Sequence, residues 1–514
     1  MRILNILLAV LVSLALAFGT LEIGLRALGF GPPAMNTEFD AALGWRGQPS
    51  SKIRRKTAEF DVTLELDSQG LRDDFQTPKD LTKGRGTFRI LALGDSFVNG
   101  YTVAREDLFL DLLEEAYAKE GRSVEIVNAG VQGYSTDQQL VWLQTHGRAF
   151  SPDLVIVFPY ENDIWWNASG DYLGEAKPLF DAQGELGTGP LPAPKERSWF
   201  AGTAIGRLPR LFQSLPTIEV RGEQVPVEMS SRLVKPPEVT LAAEARTERL
   251  IQRMAKVARE IGAETFAVSP IPSRAQMGAA ADPVNRESLG AIDPHRPHQL
   301  FKQAAKAAGV PLVETLTGLQ AAADAGSELY FERDFHLNPR GNAVLARALY
   351  DGLDAWSLVP QGPGENGRYA PDPDRKVSGG RWPRWPLWYL GLTLILGTLF
   401  SRTYPDEEPQ RAYLQVAVLL AVVFAAALLG SALIGSLPPL ASKVAFAGLL
   451  IGLLSFIAYH LGDRIGTILE LLRSFTLRGH WYLLPLLSVL LSVGSLLVVA
   501  ASSPLVAPFI YTLF

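Results

Sequence analysis

An α/β fold with a parallel sheet, joined to an all-α membrane domain, is what this sequence predicts, and three observations predict it. Short apolar runs end abruptly in glycine or Asn/Asp loops, as strands buried on both faces do. Longer segments with apolar residues at helical spacing separate those runs. Finally, the hydrophobic residues, 47% of the 514, concentrate toward the two ends of the chain.

The first strand is expected at Phe88 to Leu93; it stops at Gly94, and Asp95-Ser96 then open a helix. A serine at such a corner has an exposed hydroxyl, and its backbone N–H points where an oxyanion would form. A second strand, Val124 to Val127, runs into Asn128-Ala129-Gly130-Val131-Gln132-Gly133. A third, Leu154 to Phe158, runs into Tyr160-Glu161-Asn162-Asp163. A helix from about Leu241 to Ile261, with Leu250, Met254, Val257 and Ile261 on one face, precedes a strand at Thr265 to Val268. A helix over about Pro297 to Ala308 precedes a fifth strand at Val310 to Val313. Strands alternating with helices imply parallel pairing, and sites in such sheets form beyond the carboxyl ends of the strands. Residues 170–240 are rich in Gly and Pro and read as an insertion, either a lid or an exposed loop, with Ser231 expected to be accessible.

The apolar ends read as membrane segments. Residues 1–30 form an N-terminal anchor, with Ala15-Leu16-Ala17 leaving a signal-peptide reading open. After a linker at 358–384, four runs follow in residues 385–514: Trp385 to Phe400, Tyr413 to Ile434, Val444 to Tyr459 and Trp481 to Ala501. Each is near the length that crosses a ~30 Å hydrocarbon core. Arg402 and Arg411 occupy one intervening loop and Arg464, Arg473 and Arg478 another, whereas the loop between them carries only Lys443. With Arg2 inside, the excess of arginine places the Ser96 domain on the extracytoplasmic side. Arg375, Lys376, Arg381 and Arg384 argue the other way, but they flank a large domain, where charge counts less.

Zero cysteine excludes disulfides and thiolate chemistry. A net charge of -5 without a basic stripe gives no nucleic-acid signature. His295-Arg296-Pro297-His298 beside Asp293 fits no metal-ligand spacing and reads as a solvated loop, so neither a metal nor a cofactor is expected.

Each block taken alone has a plainer reading: Asp95 or Ser96 as a helix cap, Asn162-Asp163 as a turn pair, His336 as a core histidine. Taken together, the Gly94-Asp95-Ser96 corner, the Asn128 to Gly133 loop, the Asn162-Asp163 pair and Asp334-Phe335-His336 resemble the SGNH (GDSL-like) hydrolase superfamily over roughly residues 60 to 350. The resemblance implies a three-layer α/β/α domain within residues 31–357. It also implies Ser96 as nucleophile, His336 as general base and Asp334 as the acid that orients it. The oxyanion hole would comprise the N–H groups of Ser96 and Gly133 and the side-chain amide of Asn162. Two positions depart from the family pattern. Arg333 stands where Asp-x-x-His would place the acid, so Asp334 must serve from a tighter Asp-x-His, and Tyr160 stands where many members have glycine. The segment Leu66 to Asp73 resembles one carried by membrane-tethered members. The tail Ser503 to Phe514, with Leu469 to Phe475 and Trp481-Tyr482, resembles a small uncharacterised family of bacterial membrane proteins.

The expected function is therefore a membrane-tethered serine esterase or O-acyltransferase on an acylated, most simply O-acetylated, envelope glycan. Its partners would be that ester substrate, the lipid bilayer and a membrane-protein partner, with no nucleic acid. The alternative is a non-catalytic glycan-binding or assembly scaffold whose membrane domain recruits an enzyme.

Overall fold

The computed structural model describes residues 36–374 apart from 58, 75–78, 182–184, 188, 195–198, 208–215, 279–290 and 362–368. It also describes Phe18, Gly19 and Glu22, and residues 385–403, 408–411, 413–418, 420 and 421. The chain divides into two compact units, one of residues 33–196 and 215–378, the other of residues 1–32, 197–214 and 379–514.

The larger unit opens with two antiparallel hairpins. β1 (Thr37–Asp40) pairs with β2 (Gly44–Gly47), and β3 (Lys52–Lys56) with β4 (Asp61–Glu65). The central sheet begins with β5 (Phe88–Gly94), followed by α1 (Ser96–Asn99), α2 (Phe109–Lys119), β6 (Val124–Asn128) and α3 (Thr136–His146). Next come β7 (Leu154–Phe158), α4 (Asp163–Trp166), the short hairpin β8 (Asp171–Tyr172) and β9 (Glu175–Ala176), and the hairpin β10 (Thr217–Val220) and β11 (Glu223–Pro226). The unit finishes with α5 (Glu238–Glu260), β12 (Thr265–Val268), α6 (Arg296–Ala308), α7 (Leu316–Asp324) and α8 (Pro339–Ala355).

The four sheet strands are parallel in the order β12-β7-β5-β6. Alternation along each strand makes the layers. Ile90, Ala92, Ile156 and Phe158 face a core filled by Phe109, Leu113, Leu345 and Leu349 from α2 and α8. Leu91, Leu93, Val155 and Val157 face Leu140, Leu250, Ile251 and Met254 from α3 and α5. Residues buried on both faces are why these strands read as continuous apolar runs.

Two expectations shift. The fifth strand is reduced to a single parallel pairing of Leu312 with Val268, flanked by bonds from Val268 N to Pro311 O and from Val313 N to Val268 O. Pro311 has no N–H to donate, and that ends the ladder there. Helix α5 begins at Glu238, three residues ahead of the expected start, because Pro237 in extended backbone supplies the cap position and Glu238 suits the first turn.

The insertion is also corrected in part. Its stretch Val227 to Arg232 is a 3₁₀ turn, and Ser231 is 2% exposed rather than accessible, with its carbonyl accepting from Arg296. Lys177, fully buried, donates to Asp137 and to the Trp166 carbonyl, fastening β8–β9 to the body of the domain.

In the smaller unit, Glu22 accepts from the N–H groups of Ala204 and Ile205, and Phe18 lies 5.9 Å and 6.3 Å from the rings of Trp199 and Phe200. A helix spans Trp385–Thr403, where the first C-terminal membrane run was expected. Among the described residues no helix is long and apolar enough to cross a membrane. In Trp385–Thr403 the Trp, Tyr, Gly and Thr residues and Arg402 dilute the leucines. The third and fourth expected spans, all of the second except residues 413–418, 420 and 421, most of the N-terminal anchor and the tail lie outside the described residues.

Candidate active site

Strand β5 delivers Ser96 through a corner that only glycine can make. A Cβ on Gly94 would stand 2.2 Å from Val98 Cγ2. The chain then turns at Asp95, whose carboxylate accepts from Phe97 N at 2.8 Å and caps α1. Ser96 is the first residue of that helix, at the carboxyl end of the central strand.

His336 arrives from the opposite direction, on a tight loop closed by a bond from Phe331 N to His336 O and by the pairing of Tyr330 with Leu337. Ser96 Oγ lies 2.7 Å from His336 Nε2, and His336 Nδ1 lies 2.7 Å from Asp334 Oδ1. The shortened Asp-x-His spacing works because Phe335 adopts φ +67°, which turns the chain so that both neighbouring side chains face inward. That conformation is disfavoured for a bulky residue and must be held from outside. The Phe97 ring packs 4.4 Å from the imidazole and limits its rotation.

The loop after β6 sits beside the serine corner. Asn128 Nδ2 donates to Val98 O, Asn99 Nδ2 to Gly130 O, and Val131 N to Gly94 O. Gly130 N donates to Asn128 Oδ1 at 3.0 Å, so that N–H is already used. Gly133 has φ +76°, and among the described residues nothing accepts from its N–H. Asn162 follows the adjacent strand β7 and starts α4. Its Oδ1 is buried without a partner among the described residues. Ser96, Gly133 and Asn162 thus come from the ends of, or the loops after, three neighbouring strands, while Asp334 and His336 close the site from the chain's later loop.

Buried charge lies beneath this edge. Burial raises Asp95 to about 6, against the opposing pull of the Phe97 N–H bond and His336. Burial and the nearby Asp95 charge push Asp163 well above the carboxylate range, with Thr136 Oγ1 donating to it at 2.9 Å. Glu161, just before Asn162, is paired with Arg232 of the insertion. The stretch expected as a solvated loop at 295–298 is instead the start of α6, with Pro297 and His298 buried and His298 Nε2 lying 3.0 Å from Glu314.

Several residues at the site were missed in the sequence. Tyr101 Oη donates to both oxygens of Asp334, at 3.0 and 3.1 Å, and lies 3.1 Å from His336 Nδ1. Burial and the Asp334 charge push the phenol well up, so it remains a donor. Glu59 accepts from the N–H groups of Arg333 and Asp334, both at 3.0 Å. Arg55 lies 4.1 Å over the Tyr101 ring and donates to Gln132 Oε1, and Trp45 Nε1 donates to Gln132 O. Only Tyr101, five residues after Ser96, carried a local signal; the others precede every recognisable block.

Comparison with known proteins covers the same region. A family model described as GDSL-like Lipase/Acylhydrolase matches residues 92–344, and a family of unknown function (DUF5989) matches residues 465–514. No curated protein matches the chain. Among solved structures, a lipase/acylhydrolase from Enterococcus faecalis shares 12% identity with a TM-score of 0.31, covering 54% of this chain and 100% of its own. An acetyl xylan esterase shares 12% identity with a TM-score of 0.30, covering 53% of this chain and 100% of its own. A catalytic mutant of an acetylxylan esterase from Geobacillus stearothermophilus shares 14% identity with a TM-score of 0.30, covering 52% of this chain and 95% of its own. With its family model spanning the serine corner through the histidine loop, the α/β domain at residues 92–344 belongs to the GDSL-like lipase/acylhydrolase family and is an ester-hydrolysing serine hydrolase.

Proposed function

We propose that this domain is a serine esterase or O-acyltransferase that works through an acyl-serine intermediate on an O-acylated glycan of the cell envelope. The observation that carries the catalytic part is the continuous line from Ser96 Oγ through His336 to Asp334, with 2.7 Å at both steps. A serine hydroxyl is a weak nucleophile until a base takes its proton. As Oγ attacks the ester carbonyl, its proton passes to Nε2, and the imidazolium keeps its Nδ1 proton toward Asp334. The oxyanion that forms would be met by the N–H groups of Ser96 and Gly133 and by the Asn162 amide. Collapse expels the alcohol, which takes the proton from Nε2. Water or a sugar hydroxyl then repeats the sequence in reverse, giving hydrolysis or transfer with the same side chains.

The glycan substrate follows from the chemistry of the family and from placing this domain outside the cytoplasmic membrane. That placement rests on the apolar runs at both chain ends and on the arginine-bearing loops between them. The N-terminal run and the spans after residue 384 would tether the domain, and the tail would recruit a membrane partner.

Two experiments test this reading. A fluorophosphonate probe labels the full chain and loses its target in Ser96→Ala; labelling that survives the substitution refutes the nucleophile. For topology, a cysteine replacing exposed Lys235 reacts with a membrane-impermeant maleimide in intact cells, whereas one replacing Ser401 does not. The reverse pattern would invert the orientation.

A further inference from the structure

We propose that the β3–β4 hairpin is a positioning element of the active site, in which Arg55 and Glu59, through Tyr101 and the backbone at Arg333–Asp334, hold Asp334 against His336. The inference rests on the serine–histidine–aspartate reading above and extends it to residues ahead of the family match, which begins at residue 92.

Three contacts converge on one carboxylate. Tyr101 Oη spans both Asp334 oxygens, so the phenol fixes the plane of the carboxylate while Oδ1 also meets His336 Nδ1 at 2.7 Å. Glu59 takes two consecutive backbone N–H groups, one oxygen to each, and so fixes the chain where Phe335 must hold its φ of +67°. Arg55 then fixes Tyr101 from behind, with its guanidinium 4.1 Å over the ring. The same guanidinium donates to Gln132, next to Gly133, so one side chain from the hairpin touches both the acid side and the oxyanion side. Glu59 and Tyr101 are drawn together by the packing of Phe60 on Tyr101 and Phe331.

The arrangement has an electrostatic consequence. The groups facing His336 are Asp334 and Tyr101 at Nδ1, Arg55 behind Tyr101, Asp95 on the serine side, Glu59 under the turn, and Arg274 over the Phe335 ring. A donated O–H and a nearby guanidinium both draw charge from the Asp334 carboxylate and so weaken its grip on a protonated imidazole. Removing either donor should strengthen that grip.

The test is steady-state hydrolysis of an activated acetyl ester by the full chain across pH, with fluorophosphonate titration counting competent sites. Tyr101→Phe should lower kcat per competent site by about ten- to a hundred-fold, the scale of a lost bond to a charged group, with KM nearly unchanged. The acid limb of kcat/KM should move up by about half a pH unit or more. Arg55→Met should move that limb the same way and Arg55→Lys should restore it, because the charge returns. Glu59→Gln should lower kcat with KM nearly unchanged. If Tyr101→Phe and Arg55→Met match the parent per competent site in kcat and in limb position, the positioning role is wrong even though Ser96→Ala is inactive. If Ser96→Ala itself hydrolyses at the parent rate, the serine reading fails first and this inference with it.

Discussion

The carboxyl edge of the sheet and the N-terminal hairpins serve the same site, one directly and the other through intervening residues, yet the sequence announces one and conceals the other. At the edge, each side chain is delivered by a strand end: an apolar run buries itself, a glycine or Asn/Asp loop breaks it, and the next residue faces the site. The hairpins deliver nothing directly. Arg55, Glu59 and Trp45 act by holding atoms 77, 274 and 87 residues away along the chain. Chemistry leaves local patterns, whereas support is written only in the tertiary fold. The two regions therefore predict different kinds of damage, and mutation can separate them.

The largest effects belong to the edge. Ser96→Ala and His336→Ala should each reduce ester hydrolysis by roughly four orders of magnitude or more. The double variant should be little worse than either, since the two residues serve one step. Multiplying losses in the double variant would mean that they act independently, and the line from Ser96 to His336 would lose its meaning.

Asn162→Ala should lower kcat by about 10²–10³, the usual loss for one oxyanion donor, with KM barely moved. Its Oδ1 accepts from no partner among the described residues, so the substitution removes no acceptor bond within the fold. A rise in KM with kcat held would make it a ground-state contact instead.

The edge also carries an electrostatic cost of its own. Asp95 sits at about 6 when folded, above its ordinary 3.8, chiefly through burial. Between those values the folded protein keeps a proton that the unfolded chain has released. Stability is therefore fullest below the lower value, falls as pH rises through about 6, and stays lower above it. Asp95→Asn keeps an acceptor for Phe97 N–H and removes the charge. It should stabilise the domain at pH 8 by up to about 3 kcal/mol, the equivalent of roughly two pKa units, and by little near pH 4. Equal changes in Tm at both pH values would show that burial of the charge is not the cause.

The limits of legibility follow from the same contrast. Ser96 and His336, which the fold brings within 2.7 Å of each other, were readable because a strand end or a spaced block frames each, and Gly133 and Asn162 were framed in the same way as candidates. Asp334 was readable only as a tight variant, and its workable geometry depends on the backbone turn at Phe335, which no composition rule foretells. The sheet was readable up to its fifth strand, where Pro311 breaks the pairing. Strand β3, Lys52-Ile53-Arg54-Arg55-Lys56, is almost all charge and offers no apolar face to recognise. It is a strand because β4 pairs with it and buries Val62 and Leu64 beneath.

The smallest effect should come from the hairpin that touches the oxyanion loop most lightly. Trp45 donates from Nε1 to Gln132 O at 2.9 Å, its carbonyl accepts from Tyr134 Oη at 2.6 Å, and its ring lies 5.9 Å and 5.7 Å from those of Tyr134 and Tyr172. Trp45→Phe retains the carbonyl and an aromatic ring and removes one neutral hydrogen bond. Such a bond is worth about 1 kcal/mol, which is roughly five-fold in rate if it is felt mainly in the transition state. kcat should therefore fall about five-fold with KM constant and Tm nearly so, because the carbonyl it loses adjoins Gly133 and steadies the direction of that N–H. An increase in KM alone would mean that the loop contacts the substrate before the reaction begins. An unchanged kcat would confine the hairpins' influence to Arg55 and Glu59.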